Sequence, residues 1–134
     1  MNILFFLTPK EEVSYIYDDY TLRQVLEKME HHRYTAIPIL KRSGKYLGTL
    51  TEGDLLWAIK NKYGLDLRKA EMVPIAELPR HADNMAVRVG TDMDVLVEKT
   101  LEQNFVPVVD DRDMFIGIIT RKKVISYIYQ RMNE

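Results

Sequence analysis

Apolar and polar positions along the chain follow two periods. Leu22, Val25, Leu26 and Met29 recur at helical spacing, which predicts a helix behind the start-type residues Asp18, Asp19 and Thr21. Upstream, Val13–Tyr17 alternates as a short strand does. Two apolar runs follow, Ala36–Leu40 and Tyr46–Leu50, separated by Lys41-Arg42-Ser43-Gly44-Lys45. They predict paired strands around a turn in which Gly44 takes a positive φ. A second helix is predicted over Asp54–Lys62, ending near Gly64. The order is β-α-β-β-α.

The same order recurs as Ala86–Val89, Asp94–Gln103, Val106–Val109, Phe115–Ile119 and Lys122–Arg131, with Asp110-Asp111-Arg112-Asp113 as the turn. The recurrence extends to identities. At a separation of 69 residues Pro38 meets Pro107, Gly48 meets Gly117, Thr51 meets Thr120 and Ile59 meets Ile128. The apolar positions follow, Ile37 with Val106, Ile39 with Val108, Leu50 with Ile119 and Leu55 with Val124. Upstream the separation becomes 71, matching Leu26–Lys28 with Val97–Lys99, so copy two is two residues shorter just before Phe105. The chain is an internal duplication. A three-stranded sheet with two helices is too small to bury both faces alone, so the copies are expected to pack sheet against sheet about a pseudo-twofold axis. The fold class predicted is α+β, one module over residues 1–134, with repeat one at 8–63, a connector at 64–84 and repeat two at 85–134. The connector carries Pro74, Pro79 and a predicted helical turn at Leu67–Met72. The opening run Ile3–Leu7 is expected to be a strand or short helix on the body of the fold. It is too short for a membrane span and lacks the basic flank of a signal peptide.

Composition adds exclusions. Net charge is −1, which offers no global field for nucleic acid or an anionic membrane, and no helix-turn-helix pattern is present. Cysteine is absent, which removes disulfides, thiolate metal sites and cysteine nucleophiles and suits a reducing cytoplasm. No Walker or Rossmann glycine loop is present, and no catalytic or metal constellation stands out. His31 and His32, following the first helix, and His81 in the connector are expected on the surface. Trp57, Tyr127, Tyr129, Leu56 and Ile128 fall on the second helices, where core packing or a dimer surface would use them.

Thr51-x-x-Asp54 has the form of a capping box, and a capping carboxylate is expected to keep one oxygen for another partner. Copy two places Arg121, Lys122 and Lys123 at the corresponding helix start instead. Cations there oppose the helix dipole by a few tenths of a kcal/mol each, so a bound phosphate is the functional reading and a solvated patch beside Glu or Asp the bland one.

The stretches "YTAIPIL…KYLGTLTEGDLL" and "FVPVVDD…FIGIITRKKVI", with the duplication, resemble a CBS-domain pair (Bateman module), over about Val13 to Tyr129. Little of the chain is left for a catalytic domain, so a stand-alone pair is expected. The resemblance implies no enzyme activity but regulatory binding of an adenosine-containing ligand in the clefts between copies. By that likeness Asp54 would hold ribose hydroxyls with Thr51 beside it, Tyr34, Thr35, Ala36 and Ile37 would frame adenine, and Ser14 would line the cleft. Copy two lacks the ribose carboxylate. Its Thr120-Arg121-Lys122 is similar to the phosphate-binding triplet of small bacterial CBS pairs that bind cyclic di-AMP, while Asp54 points back to AMP, ADP or ATP. Asp54 on sugar and Arg121 and Lys122 on phosphate would divide the labour across one cleft. The resemblance also implies a homodimer and an unidentified protein partner. The competing expectation is a ligand-free dimeric scaffold.

Overall fold

The computed structural model describes residues 1–134. In chain order it has a 3-10 turn at Ile3–Phe6, β1 (Thr8–Pro9), a 3-10 turn at Lys10–Glu12, β2 (Ile16–Tyr17) and α1 (Leu22–His32). β3 (Ala36–Leu40), β4 (Tyr46–Thr51), α2 (Glu52–Asn61), α3 (Leu67–Ala70) and a 3-10 turn at Ile75–Glu77 complete the first half. β5 (Val87–Arg88), α4 (Met93–Glu102), β6 (Phe105–Val109), β7 (Phe115–Thr120) and α5 (Arg121–Met132) follow. The α+β class and the repeated order are as the hydrophobic pattern predicts.

The chain forms two compact units that interleave its segments. One comprises Ser14–Ser43 and Leu47–Asp83, the other Met1–Val13, Gly44–Tyr46 and Asn84–Glu134. The segment leading into copy one therefore belongs to the copy-two unit, and the connector leading into copy two belongs to the copy-one unit.

In the copy-one unit the sheet runs β2-β3-β4, with β2 parallel to β3 and Ile16 opposite Ile39. α1 begins at a full capping box, Thr21 with Gln24, and ends at Arg33 in the left-handed region (φ 58). Its Leu22, Val25 and Met29 lie in a core with Ile16, Ile37, Ile39, Leu50 and Leu55. Ala70, Ile75 and Leu78 of the connector close that core. Each large side chain buried there contributes about 1.5–3 kcal/mol.

The copy-two unit has the sheet order β1-β7-β6-β5. Val87 lies opposite Val108 in the parallel pair β5–β6, so the registers of the two copies are related by the same separations, 71 and 69, that the sequence shows. Its core joins Val87, Leu96, Val106, Val108, Ile119 and Val124, closed by Ile3 and Phe6. The opening apolar run is thus a helical turn whose i, i+3 pair plugs a core, as Ile75 and Leu78 do in the other unit.

Several boundaries differ from expectation for local reasons. The first strand is only Ile16–Tyr17, because the 3-10 turn at Lys10–Glu12 ends on Val13, whose N–H donates to Lys10 O at 3.1 Å. His31 and His32 are the last turn of α1 rather than the loop after it. β1 was not legible: two residues without alternation pair antiparallel with β7, Thr8 opposite Ile118 and Pro9 opposite Gly117. Gly44 takes φ 98 in its turn, as predicted.

Candidate functional site

β4 delivers Thr51 to the start of α2 with an extended backbone, so its hydroxyl meets the first turn. Thr51 Oγ1 accepts from Asp54 N at 3.1 Å and Asp54 Oδ2 accepts from Thr51 N at 3.0 Å, completing the capping box. The cap uses only Oδ2, as the sequence led us to expect, but the remaining oxygen is already engaged within the chain. Asp54 Oδ1 accepts from the backbone N–H of His81 at 2.9 Å, and the residue is 5% exposed. Burial of a carboxylate is tolerable because both oxygens receive backbone donors. A cavity of about 470 Å³ adjoins it, lined by Trp57, Asn61, Lys62, Arg80 and His81 among others.

The connector is fixed again two residues on. Asp83 Oδ1 accepts from Thr49 N at 2.9 Å and from Arg80 Nε at 2.8 Å. Partial burial pushes the Asp83 carboxyl up, but the Arg80 guanidinium and the Thr49 N–H outweigh it and hold the group below the usual carboxylate range. Gly48 makes the approach possible, since a Cβ there would collide with the Asp83 carboxylate.

The segment expected to frame a base lies on the same unit. Tyr34 stacks on His32 with centroids 5.4 Å apart and lines a separate cavity of about 510 Å³ with Leu26, Arg33, Glu52, Leu56 and Ile59. Thr35 O accepts from Glu52 N at 3.0 Å, which ties this segment to the start of α2. Ala36 is half-buried, and the Ile37 side chain lies wholly in the core. Ser14 is half-buried in the loop before β2. Asp54 and Tyr34 thus line different cavities of their unit.

In the copy-two unit Thr120 caps α5, its Oγ1 accepting from Lys123 N at 3.2 Å. No acidic residue stands in the first turn, so no capping box forms. Arg121 N donates to Asn104 O at 2.9 Å, repeating the Glu52–Thr35 link, and its Nε donates to Thr100 O at 2.7 Å. Lys122 is exposed, and Lys123 Nζ donates to Thr8 Oγ1 at 2.9 Å. None of the three cations joins an ion pair. A cavity of about 530 Å³ lies beside them, lined by Phe5, Thr120, Lys122, Ser126, Tyr127 and Gln130 among others.

Sequence reading missed Arg80, His81 and Asp83. The Arg80–Asp83 spacing hinted at a local ion pair, but a backbone N–H at His81 leaves no trace in a sequence. No group of three His, Cys, Asp or Glu residues is placed to hold a metal ion, and no helix is long and apolar enough to cross a membrane.

Comparison with known proteins agrees with this architecture. The model of the CBS domain family matches residues 7–61 and again 75–130. The uncharacterized protein MJ1225 of Methanocaldococcus jannaschii is 23% identical over 140 aligned residues, 96% of this chain and 50% of that protein. A homoserine O-acetyltransferase of Methanohalophilus mahii is 26% identical over 118 residues, 88% of this chain and 23% of that enzyme. The chain therefore spans half or less of these curated relatives. Among solved structures, CbpB in complex with c-di-AMP superposes with a TM-score of 0.86 at 22% identity, covering 99% of this chain and 87% of that one. CBSX2 in complex with AMP gives a TM-score of 0.77 at 22% identity, covering 98% of both chains. With two matched repeats that fill most of its length and the paired fold to go with them, the chain belongs to the CBS domain family.

Proposed function

We propose that this chain is a non-enzymatic regulatory module that binds an adenosine-containing nucleotide, AMP, ADP, ATP or cyclic di-AMP, and signals its presence to a protein partner in the cytoplasm. Thr120, Arg121 and Lys122 receive phosphate. Ser14 and the Tyr34–Ile37 segment surround the base, with backbone atoms serving at Ile37. Thr51 and Asp54 serve the ribose. One observation carries the reading. Three cations crowd the positive end of a 12-residue helix with no acid in its first turn, and none is ion-paired. A solvated patch would be expected to sit beside carboxylates, whereas an arriving phosphate supplies the missing countercharge at the positive end of the helix. Family membership supports the ligand class, as do the AMP and c-di-AMP complexes of two proteins of like fold.

Exposed apolar residues occur at equivalent places on the second helices, Leu56 and Ile125 at 54% each. They form the contact of a homodimer in this reading.

The test is calorimetry and thermal shift with AMP, ATP and cyclic di-AMP. A nucleotide at about 100 times its Kd adds roughly 2.7 kcal/mol to folding. Arg121→Glu is expected to abolish that shift. Full retention of binding by Arg121→Glu would sink the phosphate assignment. No binding by the wild-type chain would leave a dimeric scaffold.

A further inference from the structure

The two copies carry opposite charges at one helix position, Asp54 and Lys123, and both side chains do the same thing. Each holds the segment that leads into the other copy. Asp54 Oδ1 takes the His81 N–H of the connector, and Lys123 Nζ donates to Thr8 Oγ1 of the N-terminal segment. The equivalent glycines mark a second fastening. The connector presses its Asp83 carboxylate on Gly48, and the N-terminal segment presses Thr8 O on Gly117. The fastenings differ in what they cover. At Lys123 the side chain reaches out along an exposed surface, and β1 is independently paired with β7. At Asp54 the carboxylate is buried, and both its oxygens are already acceptors. Upstream the connector is well tied, with Ile75 N donating to Tyr20 O at 2.8 Å, Ala76 N donating to Asp18 O at 3.1 Å and Ile75 and Leu78 buried, but the Pro79–Asp83 stretch beyond is in no strand and is held at the Asp54 and Asp83 carboxylates.

We infer that Asp54 is a ligand-operated catch: its carboxylate is buried beneath the His81 N–H, so a nucleotide with a free 2′,3′-diol reaches it by displacing that N–H, and binding thereby loosens the Pro79–Asp83 stretch of the connector. This rests on the nucleotide-binding reading above and names its regulated element. The closed connector and the diol compete for one oxygen, so apparent affinity is the intrinsic affinity reduced by the fraction of molecules with the catch open. Ligand and released connector are then two faces of one equilibrium. A nucleotide whose ribose lacks the free diol, such as cyclic di-AMP with its 3′-oxygens esterified, engages phosphate groups at α5 without opening the catch. The freed stretch runs directly into Asn84 and β5, which gives occupancy of Asp54 a route along the chain.

The experiment is amide hydrogen exchange resolved at His81, with nucleotide occupancy fixed by calorimetry. In the ligand-free chain the His81 amide is slow, and Asp54→Asn accelerates it about tenfold or more while the amides of β3 keep their protection. Saturating AMP does the same in the wild-type chain. Asp83→Ala loosens the second fastening without touching Asp54, and it is expected to tighten AMP binding about fivefold. That variant keeps the test decisive if Asp54→Asn folds poorly. A His81 amide that stays protected with AMP bound overturns the catch alone. Unchanged or weaker AMP affinity in Asp83→Ala also overturns it. If calorimetry finds no nucleotide binding at all, the function proposed above fails first, and the catch fails with it as a ligand-operated device.

Discussion

Truncating the two equivalent helix residues separates a structural carboxylate from a structural lysine. Asp54→Ala removes the acceptor of two backbone N–H groups, Thr51 at 3.0 Å and His81 at 2.9 Å. A buried donor left without an acceptor costs about 1–3 kcal/mol. Thr51 is half-buried and His81 is exposed, so water reaches both once the side chain is gone. The lower part of the range applies, about 2–3 kcal/mol for the pair. Unfolding entropy near 2.1 cal/mol/K per residue gives a 134-residue chain about 0.28 kcal/mol/K. The expected fall in Tm is therefore about 7–11 °C. Lys123→Ala loses one exposed hydrogen bond to a neutral hydroxyl and removes a cation from the positive end of α5. The loss is within about 1 kcal/mol and the relief a few tenths, so Tm is expected to change by about 3 °C or less. Thermal melts and urea titrations followed by circular dichroism at fixed protein concentration measure both variants. Equal losses in the two variants, or an Asp54→Ala cost below about 1 kcal/mol, would refute the claim that both Asp54 oxygens carry the fold.

Four further expectations follow from the structure. Gly117→Ala places a Cβ against the backbone carbonyl of Thr8, which cannot swing aside, and is expected to cost about 1–3 kcal/mol in urea. Gly48→Ala meets a carboxylate that can rotate away, so its cost is expected to be the smaller of the two. Asp83 is held below the ordinary carboxylate range, so its contribution is full above the unfolded value of about 3.9 and is lost as pH falls through the lower folded value. Asp83→Asn should therefore flatten the acid limb of stability below about pH 4, and an unchanged limb would contradict the Arg80 and Thr49 contacts. Leu56→Lys combined with Ile125→Lys is expected to sediment as the 15.8 kDa chain, against a species of twice that mass for the wild type.

The duplication was the most legible feature, because apolar identity at fixed separations is what two like cores require. Pro38 and Pro107, Gly48 and Gly117, and the paired strand register all follow from it. The capping role of Thr51 and Asp54 was legible too, since a box is local in sequence. What escaped was non-local. Nothing in His81 announces that its backbone N–H fills the second oxygen of Asp54, 27 residues away. β1 escaped because Thr8–Pro9 is too short for alternation and owes its place to Gly117 and to the Ile3 and Phe6 plug. The buried Ile37 side chain shows a further limit. A position in a matching motif can be core, leaving only its backbone to meet a ligand.

Duplication with exchange of the lead-in segments explains why the helix position can tolerate opposite charges. Each unit needs an apolar plug, Ile3 with Phe6 or Ile75 with Leu78, and a polar fastening near the start of its second helix. The plug supplies most of the free energy through burial, so the fastening is free to vary in chemistry as long as it finds a partner. Beside the connector, whose donor is a backbone N–H, only an acceptor will serve, and copy one has Asp54. Beside Thr8, which offers a hydroxyl, a lysine serves equally well, and copy two has Lys123. Substituting the lysine costs the fold little but changes the local field from negative to positive beside Arg121 and Lys122. In the function proposed above, a helix start without the carboxylate gives up the sugar and serves phosphate instead. The asymmetry between the copies then follows from two neighbours of different hydrogen-bonding character, acting on one repeated scaffold.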